Sequence, residues 1–148
     1  MTWNEYTSHI RAVLTEFGRR GLLVGRMPIR FRLLKEQGSI YTESPHLMFK
    51  DGASVELTED IRVSFHQMQV EAYKYHYRRA GGYFFRYEKE STEDAIWEPP
   101  EHLHVVLNVP HFNAPMMTLE QVLRLIEVNF YQEGRKESLV GKRLEVTI

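Results

Sequence analysis

A chain of 148 residues, 43% hydrophobic and 26% charged, has the length and composition of one soluble globular domain. No apolar run approaches the roughly 20 residues of a membrane helix, no basic start leads into the apolar stretch of a secretory signal, and the absence of cysteine excludes disulfides and thiolate metal sites. The net charge of −1 hides an asymmetry: residues 1–36 carry seven Arg/Lys against three Glu, net +4, and residues 37–148 carry twelve against seventeen, net −5. The expectation is a cytoplasmic protein whose basic N-terminal third either meets phosphates or an acidic partner, or is a solvated face with no partner.

In chain order, Thr2-Trp3-Asn4-Glu5 has the spacing of a capping box, and Trp3, Tyr6, Ile10, Val13, Leu14 and Phe17 fall on one stripe. A helix is predicted from about Trp3 to Phe17, stopped by Gly18 or Gly21, its aromatic stripe docked on a sheet. From Pro28 the period becomes two. Ile29, Phe31 and Leu33 alternate with Arg30, Arg32 and Leu34, a strand with one largely basic face that ends at Gln37-Gly38. Tyr41 to Pro45 reads as irregular, and Leu47-Met48-Phe49 as a short strand entering a turn at Asp51-Gly52. Val55-Glu56-Leu57, Ile61 to Phe65 and Met68 to Tyr77 continue a meander, which crosses Ala80-Gly81-Gly82 into a strand from Tyr83 to Glu88.

A polar loop follows from Lys89 to Pro100, then a strand from His102 to Val109. Thr118-Leu119-Glu120-Gln121 offers a second capping box for a helix through Leu119, Val122, Leu123, Ile126 and Phe130, ending near Gly134. Ser138-Leu139-Val140 and Leu144 to Ile148 read as a short hairpin or edge strand. The class predicted is α+β: an antiparallel sheet of about five to seven strands, with an N-terminal and a C-terminal helix packed on one face. The whole of 1–148 reads as a single domain, with a basic helix and strand over 1–36, a core over 47–131 and an extension over 135–148.

The other face is then free to bind. Alternation puts Met68, Val70, Ala72, Lys74 and His76 on one side of their strand, Phe84, Arg86 and Glu88 together on the next, and His102 and His104 opposite the core-facing Leu103, Val105 and Leu107. If Lys74/His76, Arg86/Glu88 and His102/His104 share one face, acid, base and cation meet there. Such a set suits RNA cleavage without a metal or other cofactor. One histidine takes the 2′-hydroxyl proton, a second donor serves the leaving oxygen, and Arg or Lys neutralises the phosphorane. Tyr73, Tyr75 and Phe84 are candidates for stacking on unpaired bases, and Arg30 and Arg32 for phosphate contact. The rival chemistry is a metal held by His102-x-His104 with His76 or Glu88. The plain alternative is a half-exposed hairpin with surface histidines and a cross-strand Arg86–Glu88 pair.

Asp51-Gly52, Tyr73-Lys74-Tyr75-His76-Tyr77, Phe85-Arg86-Tyr87-Glu88 and Pro99-Pro100-Glu101-His102-Leu103-His104-Val105, followed by a closing helix, resemble the TumE-like family of small prokaryotic toxins. The resemblance implies the toxin half of a toxin–antitoxin pair with ribonuclease activity, and a cognate antitoxin as partner. It carries over to Arg86, His102 and His104, with Tyr87 and Glu88 completing the first motif. Glu88 stands where the family pattern leads one to expect Asp, and Lys89 where Asn is frequent. In the enzyme so implied, His102 or His104 is the general base, His76 or Glu88 assists proton transfer, and Arg86 with Lys74 neutralises phosphate. The competing reading is a non-catalytic module that docks a protein or nucleic acid on the open face. An exposed sheet edge favours a homodimer in either case.

Overall fold

The computed structural model describes residues 1–90, 101–105 and 107–132. The expected C-terminal hairpin and most of the expected polar loop lie outside these residues. The chain divides into two compact units, Met1–Met116 and Met117–Ile148.

The first unit opens with α1, Trp3–Arg19. The Thr2 hydroxyl accepts from the Glu5 amide at 3.1 Å, as the capping spacing predicts, and Ile10, Val13, Leu14 and Phe17 form the buried stripe. Nine strands follow in one antiparallel sheet: β1 Leu23–Val24, β2 Ile29–Leu34, β3 Gln37–Thr42, β4 Leu47–Phe49, β5 Ser54–Ser64, β6 Gln67–Arg78, β7 Phe84–Lys89, β8 Glu101–Val105 and β9 Leu107–Asn113. The main path runs β1-β4-β5-β6-β7-β8-β9, and β3 also pairs with β5 and carries β2 on its outer side.

The class is α+β, as expected, but the strand number exceeds the predicted five to seven for identifiable reasons. Glu43 to Pro45 lie outside any strand, but Tyr41 and Thr42 of the stretch read as irregular belong to one, β3, Gln37–Thr42. Its hairpin turn is made by Lys35 and Glu36, with Lys35 at φ 57°, and carries none of the Gly, Asn or Asp that mark such turns in a sequence. β1 is a further strand with no counterpart in the sequence reading, whereas the two strands expected around Val55 and Ile61 merge into one, β5, which lowers the count. The predicted last strand is two, β8 and β9.

Alternation along β6 also breaks. Asp60 pairs with Ala72 and Ile61 with Val70, so Glu71 is an extra residue at a bulge. Met68 and Val70 therefore sit opposite Val63 and Ile61, away from the face that carries Ala72, Lys74 and His76. Their expected grouping with Lys74 and His76 does not occur.

α1 covers the face formed by Ile40, Leu57, Glu59 and Tyr75, all buried. Two contacts fix it. The Trp3 ring lies directly over Gly38 of β3, where an added Cβ would come within 2.5 Å of a ring carbon. The Tyr6 hydroxyl donates a short hydrogen bond to the fully buried Glu59 carboxylate, and Tyr75 donates to its other oxygen at 2.6 Å. Burial pushes the Glu59 pKa up, opposed by the two hydroxyl donors, and the same burial raises both tyrosines. Arg11 completes the docking by lying over the Phe31 ring at 4.2 Å.

In the second unit α2 spans Leu119–Ile126, with the complete Thr118/Gln121 capping box the sequence predicts and buried Leu119, Val122, Leu123, Leu125 and Ile126. A π-helical turn, Glu127–Tyr131, extends it, and Asn129 donates to the Leu125 carbonyl at 2.9 Å. Among the described residues, no helix is long and apolar enough to cross a membrane.

Gly38→Ala is expected to destabilise the protein by about 1–3 kcal/mol through the forced displacement of Trp3. Urea unfolding followed by Trp fluorescence measures this, and Trp3→Leu in the same chain should recover part of the loss.

Candidate functional site

The constellation is assembled by three strand pairings. Lys74 pairs with Glu88 and Glu88 with His102, while His76 pairs with Arg86 and Arg86 with His104. Directly opposed residues in antiparallel strands point the same way, so all six side chains occupy one face. Glu56 and Thr58 of β5 extend the rows, opposite His76 and Lys74. The opposite face takes Tyr73, Tyr75, Tyr77, Phe85 and Tyr87 into the core.

Glu88 is the hub. One oxygen takes a short ion pair from Arg86 Nε, and the other, Oε2, lies 3.0 Å from His102 Nε2 and 3.3 Å from His104 Nε2. The two imidazoles sit edge to face with ring centroids 4.9 Å apart. They are also closed off: His102 is 0% and His104 2% exposed. The face expected to lie open is therefore buried at its two family-motif histidines, and neither ring has a free path to a polymeric substrate.

His76 occupies a different setting. Its ring meets the Phe84 ring edge to face at 5.2 Å, and the Arg78 guanidinium lies against both ring nitrogens at 3.3 and 3.4 Å. His76, Arg78, Arg79, Tyr83, Phe84 and Arg86 line a cleft of about 390 Å³. Burial, then the positive charges of Arg78 and Arg86, lower the His76 pKa to about 4, so the imidazole is neutral at physiological pH. Glu56 answers part of this charge through Lys74 at 3.0 Å and Arg78 at 3.5 Å. Burial alone would raise its pKa, but these cations bring it below the ordinary carboxylate value. Arg79 is anchored elsewhere, to Asp51 at 2.8 Å and to the Tyr77 hydroxyl at 2.6 Å.

Lys74, His76, Arg86, Glu88, His102 and His104 are thus brought onto one face as the alternation predicts. Four other candidates are not. Tyr73 and Tyr75 are 4% and 1% exposed on the core side, with rings stacked on each other at 4.8 Å, and so are withdrawn from any nucleobase. Arg30 shares the face with Lys74 through Tyr41 and Thr58, but three strand spacings, about 14 Å, separate them, and it pairs with Glu43 at 3.2 Å. Arg32 aligns through Ser39 and Asp60 with Ala72, equally remote. Arg78 and Arg79, which line the cleft, are not among the sequence candidates. One further step of the Lys74/His76 alternation reaches Arg78, whereas nothing local ties Arg79 to Asp51.

Residues 28–129 match the family described as Toxin TumE, well over half of the chain. The chain belongs to the TumE toxin family. No curated protein and no solved structure matches it. The TumE match begins at Pro28, before β2, so the basic strand expected to precede the family core is part of it, and α1 and β1 lie outside. Every residue of the Glu88 hub and of the His76 cleft lies inside the TumE region.

The lowered pKa fixes a pH dependence. Because the folded value lies below the unfolded 6.5, the native state binds fewer protons between the two, and stability is intact above about pH 6.5 and declines as pH falls towards 4. A shift of this size corresponds to roughly 3 kcal/mol at the acidic end of that window. His76→Gln should flatten the pH–stability curve between 6.5 and 4, and NMR of wild type should show one imidazole titrating near pH 4.

Proposed function

We propose that this TumE-family toxin is an endoribonuclease that works by general acid–base chemistry at the His76 cleft, with RNA as substrate and a cognate antitoxin as its neutralising partner. The observation that carries the reading is a neutral imidazole set among guanidinium groups in a cleft large enough for a nucleotide phosphate.

His76 accepts the proton of a ribose 2′-hydroxyl. The freed O2′ attacks the adjacent phosphorus, the phosphorus–O5′ bond breaks, and a 2′,3′-cyclic phosphate and a 5′-hydroxyl result. Arg86 and Arg78 neutralise the charge that develops on the phosphorane oxygens. Tyr83, whose pKa is raised by burial and which therefore keeps its proton, lines the same cleft and donates to the leaving O5′. Phe84 stacks on the base beside the scissile bond.

A base with a pKa near 4 is weak, but an arriving phosphate offsets the positive charges of Arg78 and Arg86. Substrate binding then raises His76 towards its ordinary value as the reaction needs it. In this scheme every proton is carried by a side chain. Glu88 with His102 and His104 does not touch substrate; the three hold Arg86 in position. The base is thereby His76, in place of His102 or His104.

Induced expression should arrest growth with fragmentation of cellular RNA. His76→Ala and Arg86→Ala should each lower cleavage by the purified protein about 10²- to 10⁴-fold, and Arg30→Ala should leave it unchanged. RNA that binds saturably to wild type and is never cut would replace this reading with that of a binding module.

A further inference from the structure

Glu88, His102 and His104 do more than form a hydrogen-bonded cluster. Their ligand-capable atoms, one from each residue, all lie within 4.8 Å of one another. Two of the three edges are resolved: 3.0 Å from Glu88 Oε2 to His102 Nε2, and 3.3 Å from the same oxygen to His104 Nε2. An ion with bonds of about 2.0–2.1 Å in a tetrahedral array has ligand-to-ligand edges of about 3.3–3.4 Å. The two edges from Glu88 Oε2 have nearly that spacing. We propose that Glu88, His102 and His104 form a binding site for a divalent first-row transition metal, Zn²⁺ foremost, that ties β7 to β8 beneath the His76 cleft.

The donor set selects the class of ion. Two imidazole nitrogens and one carboxylate suit Zn²⁺ and its first-row neighbours, whereas Mg²⁺ and Ca²⁺ take oxygen donors. The surroundings fit as well. Arg86 engages the carboxylate oxygen that the histidines do not, which is how a ligating carboxylate is held in orientation by an outer partner. An ion also has a way in. Glu88 forms part of the wall of a second cleft, of about 340 Å³, which it shares with Thr58, Asp60, Lys74 and Lys89. Bound there, the ion takes the place of the His102–Glu88 hydrogen bond, and Arg86 is fixed from behind. This role lies beyond the acid–base reading of the His76 cleft and needs no RNA to be observed.

The test is titration of the metal-free full chain with Zn²⁺ followed by ¹⁵N–¹H NMR of the imidazoles, with Co²⁺ as an optical probe. The expected result is saturation near one equivalent, selective shifts of two of the seven histidines assignable to His102 and His104, and a visible ligand-field spectrum with Co²⁺. Arg86→Ala should weaken binding about 10- to 100-fold without abolishing it, and Glu88→Gln should weaken it further. The absence of saturable binding to wild type, or shifts confined to His9, His46, His66 or His111, would overturn the proposal. The wild-type spectra decide the matter even if Glu88→Gln fails to fold.

Discussion

Tyr75 lies opposite Tyr87, and Tyr87 opposite Leu103, while Tyr77 lies opposite Phe85 and Phe85 opposite Val105. This cross-strand ladder, four of its rings buried, holds β6, β7 and β8 in one register. The functional face is its complement. A slip of one residue would carry Arg86 and Glu88 into the core and bring Phe85 and Tyr87 out to meet His76. The aromatic residues thus act on chemistry they never touch. Burying each ring is worth about 1.5–3 kcal/mol, more than the roughly 0–1 kcal/mol net of a partly exposed ion pair on the other side.

On the face so defined, charge is unevenly shared. Glu88 serves Arg86, His102 and His104 together, and Glu56 serves Lys74 and Arg78, so these two carboxylates face three cations and two histidines. His102 and His104 lie against the Glu88 carboxylate, whereas His76, opposite Glu56, is kept neutral by burial and by the charges of Arg78 and Arg86. Such a cleft has excess positive charge and an uncharged base, which suits the proposed substrate, an anionic phosphodiester beside a 2′-hydroxyl that gives up its proton. The buried Glu59, clamped between Tyr6 and Tyr75 on the opposite face, shows the contrasting arrangement of a carboxyl group surrounded by hydroxyl donors and supporting a helix.

Much of this was legible in the chain. Period-two alternation places Lys74/His76, Arg86/Glu88 and His102/His104 together because β6 below the bulge, β7 and β8 are regular, and the capping residues Thr2 and Thr118 announce both helices. What was not legible depended on non-local facts. The Lys35-Glu36 turn has no turn residues, and the bulge at Glu71 has no glycine to mark it. Tyr73 and Tyr75 have the same local pattern whether they face solvent or core; only α1, nearly 70 residues away, decides in favour of the core. The burial of His102 and His104 likewise leaves no trace in an alternating His-Leu-His strand.

In the proposed mechanism a ribose 2′-hydroxyl is the nucleophile activated in the His76 cleft. A short single-stranded RNA that the protein cuts, resynthesised with a single 2′-deoxy residue on the 5′ side of the cleaved bond, tests it directly. Cleavage at that bond should disappear while binding persists, and the unmodified RNA should yield a 2′,3′-cyclic phosphate end. Continued cleavage of the deoxy-substituted bond, or 3′-hydroxyl and 5′-phosphate ends, would rule this mechanism out.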